Sequence, residues 1–329
     1  MLRMLPRKVC AGRSMMLCRR PPSIPRSFGA ASAASALSSR SPAAKEPDDE
    51  TAVPRVDLSF SDRGGVATLT LVNPRRRNAL TAGMMAQLDE HVGELAEWSR
   101  RPDGGARVLV LTGVGGAFCA GLDLRDAGAG DGTGRAGDGG DGGLGEGANM
   151  TRHMTRVTDR IHSLPVLSVC AVDGFAVGGG AELTTCTDLV VMSREATVQF
   201  VHAERGASPG WGGGGRLVRR VGRARALRML LLGERVRGSE EAAAASYADA
   251  VGEEGESALE TARRVVIGPL LELPSSQSVR AIKRAVCAAD DDRRSPQSAK
   301  AEIDAFLSVW GGESNSEQIR SVRDKLTKK

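Results

Sequence analysis

One stretch of this 329-residue chain restricts its fold more than any other. Val169-Cys170-Ala171-Val172 is continuously apolar, Asp173-Gly174 offers a turn, and Phe175 to Leu183 places Gly178-Gly179-Gly180 just ahead of Ala181-Glu182-Leu183. The pattern reads as a buried strand, a loop of three glycines and the first turn of a helix headed by a carboxylate. Such a junction leaves backbone N–H groups unpaired, and the missing Cβ atoms let an oxygen approach them. A second junction of the same kind lies upstream, where Arg107 to Thr112 gives way to Gly113-Val114-Gly115-Gly116-Ala117-Phe118-Cys119-Ala120-Gly121-Leu122-Asp123-Leu124. Two donor loops in one chain suggest one oxygen held from two sides.

The surrounding patterns supply a frame for these loops. Asp57 to Val72 alternates apolar residues with period two around Gly64-Gly65 and reads as a hairpin. Met84, Leu88, Val92, Leu95 and Trp98 recur at helical spacing behind Thr81, a suitable N-cap. A helix over Met150 to Ser163 stops before Pro165, which opens the next buried strand. Continuous apolar strands alternating with helices predict an α/β fold of repeated right-handed β-β-α turns over residues 56–250. Beyond Val251 the strand signal ends, and Glu256–Val266, Ser276–Ala289 and Pro296–Trp310 read as helices of a C-terminal region spanning 251–329. Between the first donor loop and the helix at Met150, residues 127–149 hold eleven glycines among 23 positions. With almost no apolar side chains, that segment is expected to remain a mobile loop.

Charge must be divided along the chain to be informative. Residues 1–45 carry seven Arg, two Lys and no acid, so they contribute +9 of a net +5, and the remainder balances 36 basic against 40 acidic residues. The leader is rich in Arg, Ser and Ala and has Arg26-Ser27-Phe28 before a small-residue stretch, the composition of an organelle transit peptide. Mitochondrial import is the expectation, with plastid or cytosolic residence as alternatives. No apolar run reaches the roughly 20 residues that span a bilayer. Cys119, Cys170, Cys186 and Cys287 show no paired spacing for zinc or a disulfide framework and read as structural thiols.

In order and spacing, four pieces together resemble the crotonase (enoyl-CoA hydratase/isomerase) superfamily: Pro74 to Leu80 (P-x-x-x-N-A-L), Phe118 to Asp123, Val177 to Glu182 and Gln199 to Gly213. Two pieces are most similar to its ethylmalonyl-CoA decarboxylase branch. They are Phe200-Val201-His202-Ala203-Glu204-Arg205-Gly206 with Pro209-Gly210-Trp211-Gly212-Gly213, and Val309-Trp310-Gly311-Gly312. The resemblance implies a crotonase-type spiral, an acyl-CoA thioester as substrate, a homotrimer or dimer of trimers built partly by the C-terminal helices, and no metal or organic cofactor. It implies an oxyanion hole made by the backbone N–H groups of Leu122 and Gly179, with Ala120, Gly121, Asp123 and Gly178 lining the same pocket. Glu182 and Glu204 occupy the acid/base positions. In a decarboxylase, burial would keep Glu204 protonated as the proton donor while Glu182 positions groups.

Other residues have two readings. His202 either binds the departing carboxylate or ties down its loop. Trp211 walls off water and seats an alkyl branch, or simply packs. Arg77 and Arg125 fall where basic residues meet CoA phosphates in some relatives, or are solvated surface. Retention of both glutamates keeps enoyl-CoA hydration as the rival reaction. A rival of another class comes from Arg216 to Arg228, with six arginines in 13 residues, since one crotonase relative binds RNA. The acidic body and an aromatic content of 3% weigh against nucleic acid as a partner.

Overall fold

The computed structural model describes residues 53–61, 65–101, 105–123, 142–205, 207–239 and 247–291, with only the backbone described over 142–148 and at 291. The leader, Arg125, residues 127–141 and the helix expected at Pro296–Trp310 lie outside the described residues. The hairpin is present as β1 (Arg55–Phe60) antiparallel to β2 (Val66–Val72). Helix α1 (Ala82–Arg100) begins at Thr81, whose hydroxyl accepts the Met84 N–H at 3.2 Å. Its buried face is Met84, Met85, Leu88, Val92, Leu95 and Trp98, a spacing of three and four that presents one side to the core.

Next come β3 (Val108–Gly113), α2 (Gly142–His162), β4 (Leu167–Val172), β5 (Phe175–Val177), α3 (Gly179–Thr184), β6 (Leu189–Met192) and β7 (Thr197–Gln199). They continue into α4 (Gly213–Val221), α5 (Arg223–Leu232), β8 (Val236–Arg237) and β9 (Ala250–Val251). One sheet runs β1-β2-β3-β4-β6-β9 and is parallel after its first pair; a second runs β5-β7-β8. Successive turns of chain place β4 and β6 in the first sheet but β5 and β7 in the second, and Cys119 pairs with Ala176 as a single bridge after β3. This is the spiral expected from the sequence. Both faces of the larger sheet are covered. Leu109, Leu111, Cys170, Val172, Val190 and Met192 face the main core, whereas Val108, Val110, Val169, Ala171 and Val191 face a second cluster with Ala258, Ala262 and Ile267. Burial on both sides explains why these strands read as unbroken apolar runs.

Two boundaries differ from expectation. Helix α2 starts at Gly142 rather than Met150, so the last eight residues of the glycine-rich segment are helical. Met154, Val157 and Ile161 anchor the helix in the core, and adding turns to an anchored helix is far less costly than nucleating one, so poor helix formers can follow. The helix expected over Glu256–Val266 is broken into α6 (Ala258–Ala262), a π turn at Arg263–Ile267 and α7 (Gly268–Leu271), with Pro269 inside the last piece. Helix α8 (Ser276–Asp291) matches its expected position.

Candidate active site

The two glycine loops lie against each other. A Cβ on Gly121, which has φ +90°, would come within 2.8 Å of the Val177 carbonyl oxygen and 3.1 Å of the Gly179 nitrogen, so only glycine allows this approach. The first loop is held by the turn at Pro74–Arg76. Asn78, at φ 57°, accepts the Asn73 N–H through its Oδ1 and donates its Nδ2 to the carbonyls of Val114 and Ala117 at 2.8 and 2.7 Å. The P-x-x-x-N-A-L pattern is therefore a stitch between that turn and the donor loop. Asn73 and Asn78 had no assigned role in the sequence, although a buried Asn able to adopt a left-handed conformation was the available signal.

Several N–H groups of the two loops are already used. Those of Cys119, Ala120, Asp123, Val177 and Gly178 donate to the carbonyls of Phe175, Arg77, Leu80, Cys119 and Gln199, at 2.9–3.0 Å. The Gly121 N–H points at the Cys119 sulfur at 3.4 Å. The N–H groups of Leu122 and Gly179 meet no acceptor among the described residues. Both are therefore left over by the protein's own backbone, as are other N–H groups of the same loops such as those of Gly116 and Gly180.

Beside these donors stands Glu182, 2% exposed. Its Oε1 accepts from His202 Nε2 at 3.0 Å and the Gly210 N–H at 3.2 Å; its Oε2 accepts from the N–H groups of Trp211 at 2.8 Å and Gly213 at 3.0 Å. Three of the four partners are backbone N–H donors, so the group fastens the Gly210–Gly213 segment. Trp211 is buried, and its ring lies on the Gly179 backbone: a Cβ there would fall 2.4 Å from Cη2 and Cζ3. Trp211 is thus in contact with Gly179, whichever of its two readings holds. Behind it, buried Arg216 donates to the Trp211 carbonyl, to Thr158 Oγ1 at 3.0 Å and to Asp159 Oδ1 at 2.7 Å. Arg216, Thr158 and Asp159 were missed as supports because they come from distant helices.

Other expectations are redistributed. Glu204 was expected to be buried; it lies exposed on the single turn Ala203–Arg205, with Oε1 3.5 Å from Gln199 Nε2 and close to Gly233. The turn projects it from the surface, so it and Glu182 share no hydrogen-bond partner. Asp123 is buried and pairs with Arg76 at 3.3 Å. Arg77 is exposed and stacks 5.5 Å from the Phe175 ring centre. Cys119 is a buried thiol pushed up to about 12 by desolvation, which suits packing rather than nucleophilic attack. Of the arginines between 216 and 228, Arg216, Arg219, Arg220, Arg225 and Arg228 pair with Asp159, Asp290, Asp249 and Glu234 of this same chain. A cavity of about 590 Å³ lies apart from the donor loops, beneath α8, with Asp188, Arg220 and Lys283 among its walls.

Comparison with known proteins agrees with this fold. The enoyl-CoA hydratase/isomerase family matches residues 61–326. A Gallus gallus protein named ethylmalonyl-CoA decarboxylase is 35% identical over 270 residues, covering 80% of this chain and 82% of its own. The Homo sapiens protein of that name is 33% identical over 273 residues, covering 80% of each. Among solved structures, an enoyl-CoA hydratase from Mycobacterium smegmatis superimposes with a TM-score of 0.68 at 27% identity, over 83% of this chain and 97% of that one. One from Polaromonas sp. JS666 gives 0.68 at 25%, over 82% and 97%.

Proposed function

Because this chain belongs to the enoyl-CoA hydratase/isomerase family, we propose that it is a lyase that removes CO₂ from a short branched malonyl thioester such as ethylmalonyl-CoA or methylmalonyl-CoA. The observation that carries this reading is the engagement of Glu182 by four donors while Glu204 lies exposed elsewhere. Hydration of an enoyl thioester needs a base to orient and deprotonate water. Here one carboxylate is saturated with N–H donors and the other does not converge on it. Decarboxylation needs no such pair, because the substrate brings its own leaving group.

In this reading the bond between the α-carbon and the substrate carboxylate breaks, CO₂ departs, and the electron pair moves into the enolate, with charge on the thioester oxygen. The N–H groups of Leu122 and Gly179 receive that oxygen, and preorganised donors of this type are each worth about 10²- to 10³-fold in rate. Trp211 keeps water from the face beside Gly179, which protects the enolate and disfavours hydration. The relatives named ethylmalonyl-CoA decarboxylase support the substrate class. The acid-free leader supports mitochondrial residence.

The test is to incubate the purified protein with ethylmalonyl-CoA and methylmalonyl-CoA and follow CO₂ release and product mass. Conversion of at least one to the corresponding saturated acyl-CoA is expected. If neither loses CO₂, the proposal fails.

A further inference from the structure

We infer that His202, held by Glu182, is the group that delivers the proton to the enolate α-carbon; this rests on the decarboxylation reading above. The side chain of His202 is 11% exposed, and its Nε2 lies 3.0 Å from Glu182 Oε1. Glu182 also accepts three backbone N–H bonds and offers nothing to an acceptor, so the hydrogen of this contact belongs to Nε2. Nδ1 is then the working end of the ring. It is buried and meets no hydrogen-bond partner. Leaving a buried polar nitrogen unpaired is costly, and the cost is retained where a ligand or a transferred proton later uses the atom.

The position of the imidazole is fixed from both sides. The His202 carbonyl accepts the N–H groups of Arg205 and Ala207 at 3.0 and 2.8 Å, and Phe200 packs its ring 6.2 Å from the imidazole centre. Val201, its neighbour, touches Gly178, and a Cβ there would be 3.5 Å from Val201 Cγ2. Glu182 follows Gly179 by three residues in α3, so it lies one turn on along the same face as that donor. Its other oxygen binds Trp211, whose ring lies on Gly179. Successive contacts thus link Gly179, Trp211, Glu182 and His202. Glu182 is a positioning residue in this scheme, and its carboxylate offsets the charge when both imidazole nitrogens bear hydrogen.

The step balances simply. After CO₂ has left, the Nδ1–H bond breaks and a C–H bond forms at the α-carbon, the enolate charge is neutralised, and a proton from solvent restores Nδ1. The reverse is the loss of an α-hydrogen from the saturated product to neutral Nδ1. It can be measured without any decarboxylation, by the exchange of butyryl-CoA α-hydrogen in D₂O.

His202→Gln keeps an N–H for Glu182 but carries no transferable proton. The expected result is a fall of about 10²- to 10⁴-fold in both α-hydrogen exchange and decarboxylation, with butyryl-CoA affinity by calorimetry near that of the wild type. Retained affinity also shows that the variant is folded. Wild-type exchange in His202→Gln overturns the inference, as does loss of exchange in Glu204→Gln alone. Should the wild-type protein exchange butyryl-CoA yet leave both malonyl thioesters intact, the decarboxylation reading falls while the assignment of His202 is still measured.

Discussion

Glu182→Gln asks whether this carboxylate is chiefly an anchor or an acid–base group. The amide nitrogen has to face one of two pairs of donors: His202 Nε2 with the Gly210 N–H, or the N–H groups of Trp211 and Gly213. Backbone N–H groups cannot become acceptors, whereas histidine can exchange tautomer. The less costly orientation therefore turns the amide nitrogen toward His202 and orphans Gly210. One buried N–H without a partner costs about 1–3 kcal/mol, and the two bonds to Trp211 and Gly213 lose the charge assistance worth about 1 kcal/mol each. The expected loss is roughly 3–5 kcal/mol, a large part of the roughly 5–15 kcal/mol that stabilises a typical domain. Urea unfolding followed by circular dichroism reads it as a lower midpoint at unchanged slope. A variant within about 1 kcal/mol of wild type would refute the anchoring argument, for a purely chemical role lowers kcat without touching the midpoint.

Three further outcomes are expected. Gly179→Ala forces the Trp211 ring off its seat, because the new Cβ would lie 2.4 Å from two ring carbons, and should lower kcat about 10²- to 10³-fold; Gly215→Ala, whose Cβ meets nothing within 4 Å, should leave turnover unchanged. The Arg264 guanidinium, with help from the Glu253 N–H, holds the Glu256 carboxyl down to about 2 from an ordinary 4.5. Its folded-state value is depressed, so its contribution to stability is complete above pH 4.5 and is lost as pH falls toward 2. Acid unfolding of Glu256→Gln should lack that component, and an unchanged acid profile would contradict the pairing. A reporter carrying residues 1–45 should enter mitochondria, and diffuse cytosolic fluorescence would sink the transit-peptide reading.

The parts of the fold that follow local rules were legible in the sequence. Thr81 caps its helix, and Leu109 and Val110 face opposite cores on a strand whose unbroken apolarity announced burial on both sides. That the glycine loops leave backbone donors behind was legible in the sequence, whereas Leu122 and Gly179 in particular came from the family resemblance. What the sequence hid is long-range. Glu182 and Glu204 looked equivalent as two glutamates at motif positions, yet one is immersed in N–H donors and the other sits on a surface turn, a difference set by where Gly210 to Gly213 lie against α3. Arg216 sat in a run of arginines that suggested a solvated or nucleic-acid-binding face. It is buried instead, because Asp159 and Thr158 approach it from α2. The early start of α2 was equally hidden, since glycine content speaks of local preference and the core contacts of Met154 and Ile161 prevail over it.

The account turns on one distinction, loss of CO₂ against addition of water at the same pair of donors. An equimolar mixture of ethylmalonyl-CoA and crotonyl-CoA, incubated with the protein in ¹⁸O-labelled water and resolved by mass, measures both reactions at once. The predicted result is accumulation of butyryl-CoA with crotonyl-CoA recovered unlabelled. Formation of ¹⁸O-labelled 3-hydroxybutyryl-CoA with ethylmalonyl-CoA untouched would contradict it.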